Sequence, residues 1–264
     1  MNIKLLDMNK VISDDSAIRA LKRMNEADAV AWLQDHLQSC YGPLLNLPWI
    51  LDVDVTVKTI YGRQEGAQKG YNPHKPGRPS HTYHSYFMAN TRLVLEVSVQ
   101  PGDQSHACHS LPELRELLER LPAHCQPRFI RGDCDWGNDG VMTELETMGQ
   151  HYLFKLKRSK GVKSLISQVH GQGKWTRFDS DWELKESELQ LQGWQHRRRV
   201  VIVRRRLNKD TLIGIEHAKG GQQELALVEA PEDMRLFEYS ILVTNLDDDL
   251  IALMQHYRDR ADSE

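Results

Sequence analysis

The chain is predicted to fold as a mixed α/β domain, and three observations predict it. From Trp49 the hydrophobic period switches to two, with β-branched residues alternating against polar ones. Further strand-like runs alternate with helical ones, such as the stripe Leu111, Leu114, Leu117, Leu118 and Leu121. Helical periodicity returns at the end, after an apolar run at Tyr239 to Thr244. Strands and helices interleaved in this way make a mixed sheet flanked by helices. With 264 residues, 40% of them hydrophobic, the chain can bury a substantial core.

Residues 13 to 45 read as two helices. Ser13 caps the first, and Asn25 caps a second with Val30, Leu33, Leu37 and Tyr41 on one face. Pro48 ends that pattern. In the strand that follows, Trp49, Leu51, Val53, Val55 and Val57 face one side, and Asp52, Asp54 and Thr56 the other. Gly62 to Pro79 reads as a long shaped loop, because aromatic and basic residues interleave with its glycines and prolines. Strands at His81 to Met88 and Leu93 to Val99 come next, then a helix over Ser110 to Leu121. Arg128 to Arg131 forms a short strand ending at Gly132-Asp133, and a helix from Asn138 to Met148 closes at Gly149. A strand at Tyr152 to Leu156 leads into a helix near Val162 to Val169. The expected organisation is a helical segment over 1–47, a first core segment over 48–170, a β-rich insertion over 171–238, and the last strand and helix over 239–264. Asp247 or Asp248 is expected to cap that last helix.

Several classes are disfavoured. The N-terminus lacks the apolar core of a secretory signal, and no apolar run approaches the roughly 20 residues of a membrane span. Cys40, Cys108, Cys125 and Cys134 form no C-x-x-C pair, which fits a reducing cytoplasm. His106, Cys108, His109, His124 and Cys125 match no familiar zinc spacing. The net charge of −3 hides two basic clusters. One runs over Lys155, Lys157, Arg158, Lys160 and Lys163; the other pairs Arg197, Arg198 and Arg199 with Arg204, Arg205 and Arg206 around an apolar strand. Either cluster reads equally as a solvated strand pair or as a phosphate-contacting surface.

The chemistry lies in three carboxylates. Asp54 sits on the first strand and Asp133 just past the carboxyl end of a short one, where open α/β sheets place ligands. The last helix carries an apolar stripe, Leu250, Leu253, Met254, Tyr257 and Ala261, whose next inward position is Glu264. A carboxylate leaves water only when paired, hydrogen-bonded or bound to metal. Three aimed at one point predict a divalent-metal site. Such a set suits two Mg²⁺ or Mn²⁺ ions roughly 4 Å apart.

The segment Leu51-Asp52-Val53-Asp54-Val55-Thr56, the loop Gly70-Tyr71-Asn72-Pro73-His74-Lys75-Pro76-Gly77-Arg78-Pro79-Ser80, the run Ile130-Arg131-Gly132-Asp133, and Tyr257-x-x-Arg260-x-x-x-Glu264 resemble the DDE transposases of bacterial insertion sequences. The last element is similar to the Tyr-(2)-Arg-(3)-Glu-(6)-Lys signature of the branch with a β-strand insertion, and the resemblance runs from about Trp32 onward. It implies a ribonuclease-H-like core in which Asp54, Asp133 and Glu264 hold two Mg²⁺ (or Mn²⁺) ions and are catalytic. Asp54 is preferred to Asp52 because it stands in the Asp-x-Thr arrangement. The implied partner is double-stranded DNA at element ends, bound by a homodimer in the bacterial cytoplasm at the nucleoid. The residues expected at DNA are Tyr257, Arg260, Lys75, Arg78, Lys157, Arg158, Arg198 and Arg204. Trp175, Trp182 and Trp194 lie in the insertion, where an aromatic can stack on an extruded base. The signature's Lys would fall past Glu264, so a truncated frame is expected. A non-catalytic DNA-binding remnant and a stand-alone nuclease on the same fold are the alternatives.

Overall fold

The computed structural model describes residues 12–207 and 236–261. Two compact units emerge, Met1–Leu44 and Leu45–Glu264. In the first, α1 (Asp14–Leu21) and α2 (Glu26–Tyr41) start at the expected caps: the Ser13 side chain accepts from Ser16 N and that of Asn25 from Ala27 N. The expected inward face of α2 is only partly realised, because Tyr41 is buried while Val30 and Leu33 are exposed.

The second unit is built on one ten-stranded sheet. Its strands are β1 (Ile50–Thr59), β2 (Gln68–Lys69), β3 (Pro79–Met88), β4 (Leu93–Pro101), β5 (Phe129–Gly132), β6 (Tyr152–Lys155), β7 (Thr176–Arg177), β8 (Trp182–Leu189), β9 (Arg198–Arg206) and β10 (Phe237–Thr244). The helices are α3 (Ala107–Arg120), α4 (Asp139–Thr147), α5 (Lys160–His170) and, last, α6 (Leu250–Ala261). β1, β3 and β4 form an antiparallel meander; β5 then joins β1 in parallel, and β6 joins β5 in parallel. Three antiparallel strands followed by two parallel ones, with a helix before each parallel strand, is the ribonuclease-H-like arrangement. The parallel strands are short and buried throughout or nearly so, as strands covered on both faces must be.

The inserted strands continue this same sheet. β10 pairs antiparallel with β6, and β9, β8 and β7 follow outward. One apolar cluster joins both parts: Phe129 and Leu153 from the core strands, Leu184, Val201 and Val203 from the insertion, and Leu253 and Met254 from α6. The last helix is therefore held by core and insertion together. Gly149 closes α4 with φ +70, as expected of a residue after a helix end. The last helix is capped by Asp249 rather than Asp247 or Asp248: its Oδ1 accepts from Ala252 N at 2.9 Å. Asp248 is instead engaged by Arg128 at 2.7 Å. No described helix is long and apolar enough to cross a membrane.

Candidate active site

β1 and β5 run parallel with Leu51 beside Ile130 and Asp52 beside Arg131. That parallel ladder ends at the Asp52–Arg131 pair, and Asp54 and Asp133 each stand two residues past it. Because side chains alternate, Asp52 and Asp54 share one face of β1. They have different fates there. Asp52 is sealed in: Arg131 Nε and Nη2 donate to its two oxygens at 2.6 Å each, with both side chains 1% exposed. The same guanidinium reaches the last helix, donating through Nη1 to the His256 carbonyl. Asp54 remains 33% exposed, accepting from Thr56 Oγ1 at 3.1 Å and from Arg260 Nη2 at 3.2 Å.

Asp133 is half-buried, and its Oδ1 accepts from Asp135 N at 2.9 Å, an Asx turn that leaves β5. The neighbouring Asp135 joins three elements. Its carboxylate accepts from Ala107 N at the start of α3 at 2.6 Å, from Lys157 Nζ at 2.5 Å, and from His106 Nδ1 at 3.4 Å. Burial pushes the Asp135 carboxyl up, but Lys157 and the Ala107 amide outweigh it and hold it below its usual range. Lys157 is held above its own range, first by that hydrogen bond. Burial and then Asp133 push the Cys134 thiol up. Cys134, Asp135 and Lys157 line a recess of about 380 Å³ beside this edge. Asp135, which sequence reading missed, was signalled only by its place in Gly132-Asp133-Cys134-Asp135.

Glu264 lies outside the described residues. Among the described residues, no group of three His, Cys, Asp or Glu is gathered as a metal site. Asp54 and Asp133 offer the hard oxygen donors that Mg²⁺ prefers. The guanidinium of Arg260 meanwhile gives Asp54 a positive neighbour. The residues expected at DNA divide into three groups. Lys75, Arg78, Lys157 and Arg158 are exposed, Lys157 while bonded to Asp135. Tyr257 packs against the apolar cluster under the sheet, and Arg260 turns inward to Asp54.

Arg198 and Arg204, expected at DNA, are both engaged by carboxylates of the protein. Arg198 is 2% exposed and clamped by Asp139 at 2.6 Å, Glu146 at 2.8 Å and Thr143 at 2.9 Å. Arg204 donates to Glu183 at 2.7 Å and lies over the rings of Trp175, at 3.9 Å, and Phe237, at 4.6 Å. Both guanidinium groups are occupied by protein. Trp182 and Trp194 are likewise faced by Arg205 and Arg198.

The family model for "Transposase DDE domain group 1" matches residues 5–264. The chain belongs to this family of DDE transposase domains. Among solved structures, this transposase domain is similar to the chain in "Cryo-EM structure of piggyBac transposase synaptic complex with hairpin DNA (SNHP)". The identity is 12% and the TM-score 0.49, over 96% of this chain and 49% of that one. The DDE domain described here thus spans about half the length of that protein. No curated protein matches it.

Proposed function

We propose that the chain is a transposase of the bacterial insertion-sequence type, which cleaves and rejoins DNA at Asp54, Asp133 and Glu264. The observation that supports this reading is the parallel pairing of β1 with β5, which ends at Asp52 and Arg131, two residues before Asp54 and Asp133 on their respective segments. The last helix is tied to β5 and β1 by two arginine contacts, Arg131 with the His256 carbonyl and Arg260 with Asp54. Glu264 follows Arg260 by four residues, the spacing of one helix face. In this reading Asp54 and Asp133 would hold two Mg²⁺ or Mn²⁺ ions with Glu264, Asp54 supplying oxygen donors from β1 and Asp133 from the turn that follows β5. When bound, such ions activate a water or 3′-hydroxyl and stabilise the leaving oxygen. Asp52 is no ligand, because Arg131 already takes both its oxygens. Arg260 neutralises Asp54 and, once released, reaches a phosphate of the bound strand, for which its planar fork is suited. Tyr257 anchors that turn of the helix in the apolar cluster. Double-stranded DNA is the substrate and a homodimer the working form.

The test is Mg²⁺-dependent cleavage and strand transfer on duplexes carrying the flanking repeat sequences, with Asp54→Ala and Asp133→Ala beside the wild type. Both variants are expected to abolish cleavage while keeping DNA affinity. Cleavage surviving in both would remove the assigned site.

A further inference from the structure

We propose that the loop between β1 and β3 is a stacking platform for unpaired DNA bases, with Tyr61 and Tyr71 as the rings and the surrounding cations gripping the strand's phosphates. This rests on the DNA-processing role proposed above and names the surface that takes the strand.

The first argument is charge. Residues 58 to 80 contain Lys58, Arg63, Lys69, Lys75 and Arg78 against a single carboxylate, Glu65, in a chain whose net charge is −3. All five cations are exposed, and among the described residues none has an ion-pair partner. The arginines of β9 show the opposite: Arg198, Arg199, Arg204 and Arg205 are each held by a carboxylate. Exposed cations left without partners in an overall acidic protein make a local positive field, the electrostatic footprint of a phosphate-binding surface.

The second argument is the aromatics. Tyr61 is 70% exposed and Tyr71 67%. Arg78 lies over the Tyr61 ring at 5.4 Å, while Tyr71 has no ring or cation partner among the described residues. Large apolar rings left in water on a basic loop suit base stacking, which is tolerant of sequence because every base has a π-face. The tryptophans of the insertion are less available, since Trp175, Trp182 and Trp194 are only partly exposed.

The third argument is that the loop has a built shape. Its neck is closed by Ile60 N donating to Pro79 O at 2.9 Å. Buried Asn72 braces its interior: Nδ2 donates to Thr59 Oγ1 at 3.0 Å, and Oδ1 accepts from His74 N and Lys75 N. Gly70 packs backbone-to-backbone against Gly102 in the turn after β4. A surface fixed in advance loses less entropy on binding. The loop leaves β1 five residues after Asp54, about 17 Å along the strand. A strand gripped there can therefore extend to the carboxylates.

The test measures binding of the full chain to fluorescein-labelled oligo-deoxythymidylate and to a mixed-sequence duplex, across a salt series. Tyr61→Ala and Tyr71→Ala should each weaken single-strand binding roughly 5- to 100-fold, as lost base–aromatic stacking does. Duplex affinity should stay unchanged, and Tyr61→Phe and Tyr71→Phe should restore the single-strand value. Lys75→Ala and Arg78→Ala should weaken both substrates and flatten the salt dependence by about one unit or slightly less per residue. Both rings stand in solvent, so the tyrosine variants keep the core, and an unchanged unfolding midpoint verifies it. Single-strand affinity indifferent to both tyrosines overturns the platform, as does an equal loss with Phe and Ala. Cleavage that still depends on Asp54 in the same preparations would leave the proposed function standing without it.

Discussion

Replacing Arg131 by Met should destabilise the protein far more than its single ion pair suggests. The guanidinium satisfies both oxygens of Asp52 at 2.6 Å and a backbone carbonyl of the last helix, with both side chains 1% exposed. Losing the arginine leaves a carboxylate in the sheet interior with neither water nor counter-charge. Breaking one side of such a pair costs about 3–5 kcal/mol. Against a total stability of about 5–15 kcal/mol, that is a large fraction. For a domain of this size, each kcal/mol lowers Tm by about 2–4 °C, so a fall of roughly 6–20 °C is expected. Asp52→Leu combined with Arg131→Met removes both charges and should recover most of the loss, because well-packed apolar replacements of buried pairs are often neutral. Urea unfolding of the wild type, both single variants and the double variant gives the coupling energy. A single-variant loss below about 1 kcal/mol, or a double variant no better than the worse single one, would refute the argument that desolvation sets this cost.

Arg198→Ala should cost about 2–4 kcal/mol in urea unfolding, since Asp139 and Glu146 lose a shared buried partner, while leaving oligonucleotide affinity unchanged. Acid should weaken the fold through His84. It is buried with Nε2 facing the Gln104 carbonyl at 2.9 Å and Nδ1 facing Ser110, and burial, opposed by that carbonyl and by Glu113, lowers its pKa. The unfolded chain binds a proton from about pH 6.5 downward where the native state resists it, so stability present above that pH falls as the pH drops toward the folded pKa. His84→Gln should flatten that slope in unfolding midpoints measured between neutral and mildly acid pH. Gly70→Ala puts a methyl group onto the Gly102 backbone, and should cost about 1–3 kcal/mol and weaken oligo-deoxythymidylate binding without touching either tyrosine.

Much of the fold was legible because each element carries a local signal. The period-two run after Trp49, the caps Ser13 and Asn25, and Gly149 after α4 are statements about neighbouring residues, and all appear where sequence places them. The cap of the last helix was missed by one position. Asp247, Asp248 and Asp249 are chemically equivalent in sequence, and contacts with Arg128, 120 residues away, and with His256 assign Asp248 elsewhere. The Asp-x-Thr arrangement favoured Asp54 over Asp52 in sequence, but the buried ion pair of Asp52 is long-range information. Both share a face of β1; what separates them is the register that sets Arg131 beside Asp52.

The arginines of β9 show why charge runs mislead when read along a single strand. Their partners stand on neighbouring elements: Glu183 and Glu186 of β8 hold Arg204 and Arg199, Glu238 of β10 holds Arg205, and Asp139 and Glu146 of α4 hold Arg198. Glu183 lies directly opposite Arg204, and on the other side Glu238 of β10 lies opposite Arg205, while Arg199 reaches diagonally to Glu186. Cross-strand opposite-charge pairs of this kind stabilise sheets modestly and consume the charge that a ligand would need. The loop before β3 has only Glu65 of its own to answer its five cations, and among the described residues no carboxylate pairs with them. A basic run therefore reads as a binding surface only when the facing strands are counted with it. By that measure, among the described residues the positive charge left free of carboxylates lies in the loop that follows Asp54's strand rather than along β9.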